Sequence, residues 1–196
     1  MRPEPHTRPE YVAAFRELAS HIEASLADVK PAVLPIRMYV AGGAALHFHT
    51  GERVSVDVDA VFSRRIALPE RLDVAYRDQD GAARLLYFDR QYNDTLGLMH
   101  EDAYDDSLSL TLDDIDSRVL DVRILTSLDL AVSKLGRFSE QDRSDIAALA
   151  RRGLVTASSI EARALEALRG YVGDTRRLQG NIAIAAQIVA ASSPAR

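Results

Sequence analysis

Hydrophobic and polar positions change their period twice along this chain. Tyr11, Phe15, Leu18, Ile22 and Leu26 recur at spacings of three and four, which predicts an amphipathic helix. Pro31 and Pro35 end it. Arg37 to Ala41 reads as a short strand running into Gly42-Gly43, and AALHFHT reads as a short helix closed by Gly51. Alternation then takes over. In RVSVDVDAVF, Val54, Val56, Val58 and Ala60 point one way and Ser55, Asp57, Asp59 and Val61 the other, which predicts a central, strongly apolar strand. RLDVAYRDQDGAARLLYFD predicts a hairpin with its turn at Asp80-Gly81. An acidic, loop-like stretch runs from Arg90 to Asp106. SLSLTLDDIDSRVLDVRIL then returns to alternation, as a second hairpin turning near Asp113-Asp114.

From Thr126 onward the period is helical. Four apolar stripes follow, through Leu128, Ala131, Val132 and Leu135; through Ile146, Leu149 and Ala150; through Ile160, Ala164, Leu168 and Tyr171; and through Leu178, Ile182, Ala185 and Val189. Ser139 and Asp142 have the spacing of a capping box, and Gly153 that of a helix stop. The expected fold class is α+β, a mixed and mainly antiparallel sheet with flanking helices over residues 1–125 and a helical bundle over 126–196 packed on it.

Composition narrows the chemistry. At 196 residues, 47 % hydrophobic and 27 % charged, the chain has ample material for a core. With no cysteine there is no disulfide framework, no thiolate metal site and no thiol nucleophile. A net charge of −5 argues against bulk electrostatic binding of nucleic acid, so any phosphate contact must be local. MRPEPHTRPEYVAAF lacks an apolar core for a secretory signal, and IAIAAQIVAA is too short to span a bilayer, so the expectation is a cytoplasmic protein without a membrane partner.

Three features then line up in order. Gly42-Gly43 sits where a strand meets a helix; glycines there let backbone N–H groups approach an anion, and equally serve a tight turn. Asp57 and Asp59, at i and i+2 of a strand, share a face with Cα atoms roughly 6.6 Å apart, a spacing suited to hard divalent cations. They also sit in an apolar strand, where Asp is disfavoured and needs a reason. Asp121, in VLDVRI, interrupts a later apolar strand and is a candidate third acid. His47 and His49, two apart on a helix, face different ways and make a poor zinc pair. His100-Glu101-Asp102 reads as a solvated acidic loop, and Tyr11, Tyr39 and Tyr171 as core or boundary residues.

The ordered set, written VAGGAALHFHTGERVSVDVDAVF with thirteen residues between Gly43 and Asp57, resembles the DNA-polymerase-β-like nucleotidyltransferases. LTSLDLAVSKLGRFSEQDRSDIAAL and the acidic NDTLGLMHEDAYDD resemble segments of abortive-infection (AbiE-type) nucleotidyltransferase toxins and their uncharacterised bacterial relatives. The resemblance implies that Gly42 and Gly43 hold the triphosphate of an NTP. It implies that Asp57, Asp59 and Asp121 ligate Mg²⁺ or Mn²⁺, and that Lys134 reaches the phosphates or the leaving pyrophosphate. Asp142 and Asp145 would complete the helical motif, although the toxins carry Arg immediately before the first of those acids and this chain carries Gln141. The implied activity is transfer of a nucleotidyl group to RNA, a protein side chain or a small molecule, with an antitoxin as partner in the toxin version. The alternative is a catalytically silent module of the same fold that binds or regulates a partner.

Overall fold

The computed structural model describes residues 1–3, 6–93 and 97–194. The chain folds as two compact units, one of residues 1–92 and 107–124, the other of residues 93–106 and 125–196.

The first unit opens with α1 (Pro9–Ala24), whose predicted stripe of Tyr11, Phe15, Leu18 and Ile22 is buried. A single 3-10 turn at Pro31–Val33 leads to β1 (Ile36–Val40) and then α2 (Gly42–Thr50). Gly51 ends α2 in the left-handed region at φ 70°, and its N–H donates to the His47 carbonyl, as its position in the sequence predicts. Five strands follow: β2 (Asp57–Val58), β3 (Ala60–Phe62), β4 (Asp73–Arg77), β5 (Ala83–Phe88) and, after residues 90–106, the two-residue β6 (Leu108–Ser109); β7 (Leu120–Ile124) completes the set. The β4–β5 hairpin turns at Gly81, φ +75°, as expected. β6 and β7 pair antiparallel, but ten residues separate them, so the expected tight hairpin is a long connection in which Asp114 takes a positive φ.

The strands form two sheets, ordered β3-β1-β7-β6 and β2-β5-β4. Three of the five pairings are antiparallel and two, β1 with β7 and β2 with β5, are parallel. This corrects the expectation of one central strand carrying both acids. Residues 53–56 are not strand, and the extended run that follows is split at Asp59 into an edge strand of each sheet. One face of the sheets is apolar, with Met38, Val40, Ala60, Val58, Leu86, Phe88, Val122 and Ile124 buried, and α1 packs against β4, β5 and β7. Phe62 stacks on Phe88 at 5.7 Å, tying the end of one sheet to the other.

The second unit holds α3 (Ser127–Ser133), α4 (Glu140–Arg151), α5 (Ala157–Leu168) and α6 (Arg176–Ser192). α6 packs on α4 and α5, and α3 packs on α4 and α5. Thr126 and Thr156 cap α3 and α5 through their hydroxyls, and Ser139 with Asp142 forms the predicted capping box of α4. Gly153, φ +69°, follows α4 as the predicted stop. Residues 97–106 belong to this unit through Leu98 and Ala103, both buried, and through Asp106, which receives Arg163 at 2.6 Å. Among the described residues, no helix is long and apolar enough to cross a membrane.

Candidate functional site

β1 delivers the chain to Ala41, whose N–H donates to the Asp59 carbonyl at 2.8 Å, so the register of β1 on β3 continues one residue beyond the strands. The backbone then turns at Gly42 with φ +56°, a conformation that L side chains rarely adopt. A second constraint acts at the same place. A Cβ on Gly42 would overlap Oδ2 of Asp59, so the carboxylate lies against the glycine backbone itself. Gly43 is equally hemmed in. A Cβ there would come within 2.6 Å of Ser55 Oγ and 3.1 Å of Arg53 Nη1. The first helical bond of α2 runs from Ala45 N–H to the Ala41 carbonyl, and Ala41, the N-cap residue, makes no side-chain cap bond. The N–H groups of Gly42, Gly43 and Ala44 therefore precede the hydrogen-bonded ladder, at the positive end of the helix dipole.

Asp57 is half-buried and accepts a hydrogen bond on Oδ1 from the Ser55 hydroxyl. Ser55 is buried and lies against Gly43, so one residue connects the first carboxylate to the start of α2. The loop that aims Arg53 and Ser55 is itself fixed by His47 on α2. That imidazole accepts the Arg8 N–H on Nε2 at 3.0 Å, which leaves Nδ1 to donate to the Arg53 carbonyl at 3.0 Å. Burial lowers the His47 pKa to about 4, so the ring is neutral near pH 7. Tyr11 packs edge-on against it, with ring centroids 4.8 Å apart. The histidine is a core residue, in line with its poor fit to a zinc pair.

The structure brings Gly42, Gly43, Asp57 and Asp59 together. It adds Arg53 and Ser55, which the sequence reading passed over. It does not bring Asp121 to them. Asp121 is the register partner of Arg37 on β1, whereas Asp59 lies opposite Ala41, four residues further along the same strand. At roughly 3.3 Å per residue that is about 13 Å along the strand, before the sideways step across β1 is counted. Its carboxylate is engaged locally, accepting from Ser109 Oγ at 2.8 Å and Arg123 Nη1 at 3.2 Å, with Arg37 Nε 4.0 Å away. Among the described residues, no group of three or more acids and histidines is placed to hold a metal ion. Two carboxylates nonetheless suit Mg²⁺, which is commonly held by one or two protein carboxylates and completed by substrate phosphates and water.

Lys134, Asp142 and Asp145 lie in the second unit and form a buried ionic cluster. Lys134 is the C-cap of α3, and only 7 % of its surface is exposed. Its Nζ donates to Asp145 Oδ2 at 2.6 Å and lies 4.0 Å from Asp142 Oδ1. Asp145 also accepts from Gln141 Nε2 at 2.8 Å. Asp142 receives Arg137 on both oxygens, each at 2.8 Å, and closes the Ser139 capping box. Burial pushes the Asp142 carboxyl up, but the hydrogen bonds from Arg137 and Ser139 outweigh it and carry the pKa down to about 2. Of the acidic stretch noted in the sequence, Asp94, Thr95 and Leu96 lie outside the described residues.

A family model described as a nucleotidyltransferase of unknown function (DUF6036) matches residues 17–179. That span takes in the glycine pair, both acids and the whole of the Lys134 cluster. No curated protein and no solved structure matches the chain.

Proposed function

The chain belongs to this family of nucleotidyltransferases of unknown function (DUF6036), and from that membership we propose an Mg²⁺- or Mn²⁺-dependent transfer of a nucleotidyl group from an NTP to an acceptor hydroxyl. The observation that carries the reading is the Asp59 carboxylate lying on the Gly42 backbone, at a helix start whose first N–H groups precede the backbone hydrogen-bonded ladder. A phosphate chain held by those amides is then in immediate reach of both carboxylates. Gly42 and Gly43 would bind the triphosphate, with Arg53 beside Gly43 neutralising its charge. Asp57, oriented by Ser55, and Asp59 would ligate the cation. When bound, the divalent ion polarises the phosphoryl oxygens and offsets charge developing on the leaving pyrophosphate. In this reading Asp57 and Asp59 hold the cation between them, while Asp121, about 13 Å away along the strand, keeps its bonds to Ser109 and Arg123. Lys134, held by Asp145 and flanked by Asp142, is the cation that the family resemblance assigns to phosphate. The acceptor, whether RNA, protein or small molecule, and an antitoxin-like partner belong to the same proposal.

A second reading, a silent module of this fold that binds or regulates a partner, draws support from the distance between Asp121 and the other two acids. One experiment separates them. Purified protein is incubated with each labelled NTP, Mg²⁺ and cell lysate or bulk tRNA. Label transferred by the wild type and lost in Asp57→Asn is the expected result. Absence of both transfer and nucleotide binding would sink the enzyme reading and leave the binding module.

A further inference from the structure

β5 carries an exposed aromatic ring directly beside the first carboxylate. Tyr87 is the register partner of Asp57 on β2 and of Asp73 on β4, so Asp57, Tyr87 and Asp73 form one row across the three-stranded sheet. Register partners point to the same face, and neighbouring strands stand roughly 4.8 Å apart. The opposite face of this sheet is committed, since Leu86, Phe88 and Val74 are buried. Alternation along β5 therefore holds Leu85 and Tyr87 outward, where they remain 48 % and 40 % exposed. Their neighbour in the next row is Ala75, too small to cover Leu85. An aromatic and a leucine side by side on an open strand face, next to a carboxylate pair, form a flat apolar surface without an evident structural task.

We infer that Tyr87, with Leu85 beside it, is the stacking platform for the base of the bound nucleotide. The inference rests on the nucleotidyltransferase reading and deepens it. In that reading the phosphates lie at the start of α2, against Gly42 and Gly43, and the carboxylates lie between that helix and β5. The sugar and base must leave the cradle on another side, and the face of β5 is adjacent. Charge selects the occupant. Asp57 and Asp73 flank the ring on both sides, which disfavours a second phosphate-bearing strand there and favours a neutral, flat group. Stacking of this kind carries no hydrogen-bond readout, so the site tolerates all four bases and favours the larger purines.

The test compares ATP with inorganic tripolyphosphate, a probe that has the phosphates and lacks the base, by equilibrium binding in Mg²⁺ to four proteins. Tyr87→Thr removes the ring while keeping a β-branched residue that suits a strand, and Tyr87→Phe keeps the ring. Tyr87→Thr is expected to weaken ATP about 10-fold or more, in the range of lost base stacking, with tripolyphosphate affinity unchanged and Tyr87→Phe close to wild type. ATP binding that needs Asp57, lost in Asp57→Asn, but is indifferent to Tyr87→Thr overturns the inference and leaves the enzyme reading intact. Equal loss of ATP and tripolyphosphate in Tyr87→Thr also overturns it, because the ring would then act on the phosphate cradle. A wild type that binds neither probe removes both the inference and the reading beneath it.

Discussion

His47 on α2 holds the Arg53 carbonyl with one ring nitrogen and the Arg8 N–H with the other, and the second of these bonds needs the neutral ring. Its pKa falls from an ordinary 6.5 to about 4 in the folded protein. The sign follows from linkage. Between pH 6.5 and 4 the unfolded chain binds a proton at this residue that the folded chain resists, so its stabilisation is full above pH 6.5 and is lost as pH falls through 4. Thermal unfolding followed from pH 7 to 4.5 should show a melting temperature that drops more steeply in wild type than in His47→Gln, with the variant already lower at pH 7. Parallel curves would remove the assigned role. Residue-level legibility in the sequence followed the cost of each group's placement. Asp57 and Asp59 stood out because carboxylates are disfavoured in an apolar strand, and Gly42-Gly43, which alone suits any tight turn, gained meaning from its order ahead of them. Arg53 and Ser55 gave no signal. Both residue types are ordinary in loops, and their aim at Gly43 depends on the path of residues 51–56, which no local pattern encodes.

At the scale of elements, the helices were read well and the strands less so. Amphipathic stripes of three or four turns specify a helix by themselves, whereas alternation specifies a strand without naming its neighbours. VSVDVDAVF therefore read as one central strand, while pairing with β1 on one side and β5 on the other splits it at Asp59 into two edges. The same element level governs Lys134. The resemblance assigns this lysine to the phosphates, and the structure buries its ammonium against Asp145. Lys134→Ala would strip the buried Asp145 carboxylate of the ammonium and leave it the bond from Gln141, whereas Asp142 keeps Arg137 and Ser139. Breaking a buried pair from one side costs about 3–5 kcal/mol, so a large loss of stability in denaturant titration is expected for Lys134→Ala. The double variant Lys134→Met, Asp145→Leu should recover most of it, because apolar replacement of both partners removes the stranded charge. A neutral Lys134→Ala would show that the ammonium is held by something other than this ion pair.

Across the whole molecule, the chain passes between its two units three times, near residues 92, 106 and 124. Residues 97–106 leave β5 and return to β6, yet their anchors are in the helical unit. Leu98 and Ala103 are buried there, and Arg163 of α5 bridges Asp106 at 2.6 Å and Asp129 at 2.8 Å. The sequence showed this stretch only as acidic and loop-like, because two apolar residues five positions apart make no periodic signal; what fixes them is tertiary. The consequence can be read by hydrogen exchange. Leu98→Ala removes a fully buried side chain and should cost about 2–5 kcal/mol, as large-to-small changes in a core do. Sequence proximity would direct the damage to β5 and β6, the strands on either side. Membership of the helical unit directs it to α5 and α6, where protection should fall, while β4 and β5 exchange as in wild type. Loss of protection centred on the β4–β5 hairpin would instead assign residues 97–106 to the sheet.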